Sequence, residues 1–120
     1  MNEIEAFVGS AHGDVGVVRA ALETDPTLAD ASWDWGAGAG DRETAIGAAG
    51  HMGRRDTAEL LLAHGARMDI FVAAMLDEVE IVQALLPLQR DARGPHGIPL
   101  REHAEAGNAE RVLMLLGDDG

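Results

Sequence analysis

Cysteine is absent from this 120-residue chain, and only four residues are aromatic: Phe7, Trp33, Trp35 and Phe71. The first absence excludes disulfides, thiolate nucleophiles and cysteine-based zinc sites. The second argues against a bulky β-sandwich. With an apolar content made mostly of Ala, Leu and Val, it favours thin helices packed closely. Positive charge is scarce as well, with 9 basic residues against 21 acidic ones and a formal charge of −12. Phosphate contact needs clustered Lys or Arg, which only "GRR" (Gly53 to Arg55) and "RDAR" (Arg90 to Arg93) offer. No nucleic-acid partner is therefore expected, and the charge favours a cationic partner without identifying one. No apolar run approaches the ~20 residues needed to span a bilayer, so no membrane partner is expected. The acidic start "MNEIEAFVGS" lacks the basic-then-apolar pattern of a signal peptide, and the expected location is the cytoplasm.

What the chain does contain is an internal repeat. Length and a 47% hydrophobic fraction fit one soluble domain over residues 1–120. Within it, four segments share small residues, a Gly-type break, and an apolar i, i+1, i+4, i+5 run. They are "AHGDVGVVRAAL" (Ala11 to Leu22), "GHMGRRDTAELLL" (Gly50 to Leu62), "MLDEVEIVQALL" (Met75 to Leu86) and "EAGNAERVLMLL" (Glu105 to Leu116). Each reads as the end of one helix, a tight turn and a second amphipathic helix. The turn positions are Gly13, Gly53, Asp77 and Gly107, residue types that tolerate φ > 0.

The second copy, "ETAIGAAGHMGRRDTAELLLAHGARMD" (Glu43 to Asp69), resembles the ankyrin repeat. Thr44 matches the helix-capping Thr, and Ile46 the Leu that follows. Ala49 takes the first small core position, with Gly50 in place of the second Ala. Gly53 matches the turn Gly, Leu61 and Leu62 the core pair, and Gly65–Ala66 the terminal "GA". The fourth copy, "GIPLREHAEAG" (Gly97 to Gly107), keeps Pro99, Leu100, Ala104 and Gly107, with Ile98 where Thr is usual. The resemblance implies an all-α fold: an α-solenoid of about four helix-turn-helix repeats, near residues 1–33, 41–69, 70–92 and 97–117, with short or irregular fingers. It also implies non-covalent binding through the concave face and fingers, usually of a protein.

The spacing departs from the family pattern. The turn positions 13, 53, 77 and 107 are 40, 24 and 30 residues apart, against a repeat period of about 33. The surplus in the first interval holds the inserted loop 31–40, "ASWDWGAGAG", and both tryptophans. The second interval has lost its finger. After the third copy, "PLQRDARGPHG" (Pro87 to Gly97) reads as a loop broken by Pro and Gly.

The candidate functional residues gather at these irregularities. Trp33 and Trp35 are i and i+2, so in an extended segment they share one side, with Asp34 opposite. They either cover apolar repeat surface or anchor a ligand, as Trp often does at hot spots. His12 and His64 occupy ordinary repeat positions and are expected to be structural. His103 stands where Ala usually lets repeats approach, and needs a partner or a space. His96 lies in the constrained "GPHG" loop, and His51 at the end of an inner helix. Two readings stay open. His51, His96 and His103 converge with Asp34, Glu102 or Glu105 in a pocket under the tryptophan loop, where neutral imidazole beside carboxylate suits acid–base chemistry. Alternatively, they are separate surface and capping residues. Arg42, Phe71, Met75 and Arg101 complete the candidate binding set, while Met52, Met68, Met75 and Met114 read as core fillers.

Other chemistries find little support. The chain has no HxH or HxxxH pair, so no metal site is expected. Ser10 and Ser32 have no adjacent base motif, and "GAGAGD" lacks the Lys-Ser/Thr of a phosphate loop. No cofactor is expected. The leading expectation is a protein-binding module. The alternative is a small-molecule-binding protein or cofactor-independent acid–base enzyme of isomerase, cyclase or lyase type. Self-association into a homodimer is a third route, through apolar caps such as "VLMLL".

Overall fold

Short polar side chains start four of the eight α-helices among the described residues by accepting backbone N–H groups that have no partner within the helix, each cap stabilising by about 1 kcal/mol. Asn2 caps α1 (Glu3–Ser10) through Ile4 N–H at 2.7 Å, and Asp14 caps α2 (Val15–Thr24) through Val17 N–H at 3.2 Å. Thr44 Oγ1 accepts from Gly47 N–H at 2.9 Å and opens α3 (Ala45–His51), the role expected of it from sequence. The α4 helix (Arg55–Ala63) follows. Asp69 opens α5 (Ile70–Met75) through Val72 N–H at 2.8 Å. The remaining helices are α6 (Val79–Gln89), α7 (Leu100–Ala106) and α8 (Glu110–Leu116).

These elements come from a computed structural model that describes residues 2–36, 41–89 and 91–117. Ala37 to Gly40 of the inserted loop, Arg90, and the acidic end from Asp118 lie outside the described residues. The chain is mostly helical, and no helix among the described residues is long and apolar enough to cross a membrane.

The helices form four consecutive pairs. The first helices of the pairs pack on one another: α3 lies against α1 and α5, and α5 against α7. Their small residues permit this, since Ala45, Ala48, Ala49, Ala73, Ala74 and Ala104 are all buried. The second helices pack as α2 on α4 and α6 on α8. Contacts also reach beyond nearest neighbours, because α3 touches α7. The Gly53 turn rests on the Ala106 carbonyl, and Gly107 lies on the Met75 carbonyl, where a Cβ could not fit.

Two turn residues behave as the sequence indicates, with Gly53 at φ 68° and Asp77 at φ 62°. In the fourth pair the left-handed residue is Asn108 at φ 52°, one position past Gly107. Asn and Asp tolerate that region through their short polar side chains. Gly13 is not left-handed; its place in the turn has another geometry. A further correction concerns Pro87, which does not end α6; the helix runs on to Gln89. Pro87 falls in the last turn on the exposed side, so only one late hydrogen bond is given up.

The tryptophan segment is also more ordered than a loop. Ser32–Asp34 (β1) and Arg42–Thr44 (β2) pair antiparallel, with Ser32 opposite Thr44, Trp33 opposite Glu43 and Asp34 opposite Arg42. Asp34 Oδ1 accepts from Gly36 N–H at 2.9 Å and Asp41 N–H at 3.1 Å, closing the turn. The hairpin lies on α1 and α3, and β2 also meets the Pro95–Gly97 turn.

A candidate histidine–carboxylate site

The pleat of the hairpin decides what faces inward. Trp33 and Glu43 are cross-strand partners, so they share a face. Trp33 is half-buried against the core of the first two pairs. Glu43, in the middle of β2, is 1% exposed. A carboxylate so deeply buried needs compensation, and four ring nitrogens surround it.

Trp35 Nε1 donates to Glu43 Oε1 at 2.8 Å. His12 Nε2 is 3.1 Å from the same oxygen. His51 Nε2 stands 2.8 Å and His96 Nε2 3.3 Å from Oε2. The rings form a row: His12 meets Trp35 edge-on at 6.2 Å, His51 meets His12 at 5.0 Å, and His96 meets His51 at 5.3 Å.

Each histidine arrives from a different element. His12 follows α1, and its Nδ1 reaches the Val8 and Gly9 carbonyls at 3.1 and 3.0 Å. That donation commits the Nδ1 proton and leaves Nε2 turned to Glu43. His51 is the last residue of α3. His96 is carried by a loop closed where Gly94 N–H donates to Ile98 C=O at 2.8 Å, with Arg93 bridged to Pro99. Its backbone is left-handed, at φ 60° and ψ 20°, a conformation that costs a non-glycine residue about 1–2 kcal/mol. The ring it aims at the cluster is held from behind by Asp41, Nδ1 to Oδ2 at 3.0 Å.

The electrostatics follow from these contacts. Burial alone pushes the Glu43 carboxyl up, but His51, the Trp35 N–H and His12 outweigh it and hold it below its ordinary value. Burial works against charge on His96, yet Asp41 and Glu43 prevail and raise its imidazole above the usual 6.5. The assembly can retain a negative carboxylate at neutral pH beside a His96 imidazole of raised basicity. One contact stays incomplete. His51 Nε2 and Glu43 Oε2 are buried and 2.8 Å apart, but their alignment is poor for a hydrogen bond.

Of the residues singled out from sequence, the structure joins His51, His96 and Trp35 in this site. Asp34 shapes the hairpin turn. His103 lies outside the cluster as a supporting residue. It is fully buried, its Nδ1 donates to the Pro99 carbonyl at 3.0 Å, and its ring packs 4.9 Å from Phe71. The 93–99 loop rests on it through Gly94, where a Cβ would meet both the His103 and Phe71 rings. Burial pushes the His103 imidazole down despite the Pro99 bond. Glu102 and Glu105 are exposed. Arg42 is exposed and donates to Ser32 Oγ at 2.9 Å, Arg101 has a buried Nη2 without a partner, and Met75 is wholly within the core. His64 bonds the Leu60 carbonyl at 3.0 Å on the surface.

Two members were not singled out as functional: His12, read as structural, and Glu43. His12 does make the backbone contact expected of a structural histidine, and it also serves the cluster. No signal in the sequence marks Glu43, because the strand register that puts it on the tryptophan face is set by the fold.

Comparison with known proteins adds no further assignment: no protein-family model, curated protein or solved structure matches this chain.

Proposed function

We propose that this chain is a binding module of stacked helix pairs, of the kind the ankyrin resemblance implies, and that it engages a protein partner through its hairpin side. The observation that carries this reading is the meeting of two irregular connections. The hairpin after the first pair and the 93–99 loop after the third both contact α3, and its last residue, His51, meets Glu43 and His96. Rigid helices thus present loops with convergent polar groups, the usual construction of a recognition surface. Trp35 at 36% and Met52 at 51% exposure supply apolar contact beside Asp41 and His96, and the charge of −12 favours a basic partner segment. Consecutive stacking of the pairs, with each first helix toward the partner, is part of the proposal.

Affinity capture with the purified chain tests it. Trp35→Ala and Met52→Ser are expected to lose a partner that Met114→Ser retains, since Met114 is 82% exposed in α8, away from the hairpin. Equal loss or equal retention in all three variants overturns the reading.

The histidine–carboxylate cluster favours a second reading, proton transfer to a small molecule. Glu43 has no exposed side-chain surface, whereas His12 and His96 are 27% and 34% exposed. A substrate would therefore meet the imidazoles, with Glu43 supporting their charge. Turnover of a small molecule that disappears in His96→Asn, with the fold intact, would support this reading over the first.

A further inference from the structure

Four potential ligand atoms, one ring nitrogen each from His12, His51 and His96 and one carboxylate oxygen of Glu43, all lie within 4.8 Å of one another. Tetrahedral zinc at 2.0–2.2 Å from nitrogen and oxygen separates its ligands by about 3.4 Å. The contacts of His51 and His96 to Glu43 Oε2, at 2.8 and 3.3 Å, fall short of that value, and His12 stands 3.1 Å from the other oxygen.

The outer contacts are those of a metal centre. A ligating histidine gives its other ring nitrogen to a carbonyl or carboxylate, which fixes the tautomer and aims the lone pair. His12 Nδ1 is held by the Val8 and Gly9 carbonyls, and His96 Nδ1 by Asp41. A ligating carboxylate is itself held by a donor, and the Trp35 N–H holds Glu43 Oε1. That leaves Oε2 to bind.

Protons alone hold the cluster imperfectly. With Nδ1 protonated, a neutral His12 or His96 points a lone pair at an anionic oxygen, an unfavourable approach. A second proton on each ring repairs those two contacts. It leaves the third, in which His51 Nε2 and Glu43 Oε2 are buried 2.8 Å apart in poor hydrogen-bond alignment. A shared cation satisfies both atoms at once.

The geometry points to a divalent transition-metal site formed by His12, Glu43, His51 and His96. Three imidazoles and one carboxylate suit zinc and its neighbours rather than magnesium or calcium, which take oxygen ligands. The site does not depend on the binding-module reading, because its ligands would hold the ion whether or not a protein docks beside them. The ion would also tie α1, β2, α3 and the 93–99 loop together.

The test uses the untagged chain, freed of metal with a chelator. Isothermal titration with ZnCl2 is expected to give one site per chain, and the thermal midpoint is expected to rise with zinc but not with equimolar MgCl2. Cobalt(II) in place of zinc is expected to show the intense visible absorption of a four-coordinate site. His96→Asn and His12→Asn should each weaken zinc binding at least 10-fold, and His64→Asn should leave it unchanged. His96 is partly exposed in a loop, so circular dichroism of that variant reports whether the fold survives. Absence of zinc binding by the wild type overturns the site, as does binding that survives in folded His96→Asn and His12→Asn. So does binding that His64→Asn removes.

Discussion

Trp35 donates its indole N–H to Glu43 Oε1 at 2.8 Å, across eight residues of hairpin. The bond ties a ring at the surface to a carboxylate 1% exposed. It answers why an alanine- and glycine-rich stretch carries tryptophan. The ring covers the cluster and supplies a donor that no aliphatic residue could. Trp35→Phe keeps most of the packing and removes the donor. An unsatisfied buried acceptor costs about 1–3 kcal/mol, so urea unfolding of the metal-free chain is expected to show a loss of that order. Trp33→Phe carries no such bond in its favour and should cost only a fraction of the packing.

Three glycines separate backbone strain from steric conflict. Gly65 has φ 96° with open space around its Cβ position, so Gly65→Ala should cost strain alone, about 1–2 kcal/mol. Gly107 has no positive φ, but its Cβ would run into the Met75 carbonyl. Gly107→Ala should therefore cost overpacking alone, about 1–3 kcal/mol. Gly53 combines φ 68° with a Cβ directed at the Ala106 carbonyl, and Gly53→Ala is expected to be the most destabilising. Thermal unfolding of the three variants checks the order.

The three shifted groups act on stability over separate pH ranges. His103 is depressed by burial below 6.5. The unfolded chain therefore takes this proton first, and stability falls as pH drops from about 6.5 towards the folded value. His96 is raised above 6.5, so its contribution is complete below that value and is lost as pH climbs through the folded one. Glu43 is lowered below 4.5, so its contribution is present above that pH and lost in acid as the folded carboxyl protonates. The metal-free chain should be most stable near pH 6.5. His96→Asn should flatten the alkaline side of the curve measured by urea unfolding, and His103→Gln the stretch just below the maximum.

Asp41 holds His96 at 3.0 Å from behind without being one of the four ligands. If the zinc site stands, Asp41→Asn should weaken zinc about 10-fold through loss of ring orientation and basicity. Magnitude separates the roles in titration calorimetry: the positioning variant should retain one-site binding, and the ligand variant His96→Asn should bind more weakly still.

The helical part of the structure was legible because its causes are local. Apolar spacing marks "DVGVVRAAL" and "DTAELLL" as helices, Thr44 sits where a cap belongs, and Gly53 and Asp77 stand where the chain must turn. Pro87 was misleading because its helix-breaking effect is weak in a last turn facing outward. Gly107 was displaced from the left-handed role because its lack of a Cβ serves contact with Met75 instead.

By itself, the sequence determined that small-residue helices would pair and that unusual residues would collect in the long connections. The tertiary structure alone decided which of those residues meet. His12, Glu43 and His96 are brought together by a hairpin register, the end of α1, and a left-handed turn resting on His103. No periodicity encodes a contact between positions 12 and 96, since it depends on how far each helix pair is rotated and shifted on the next. That packing turned a histidine in an ordinary repeat position and a glutamate in a short strand into the centre of the site.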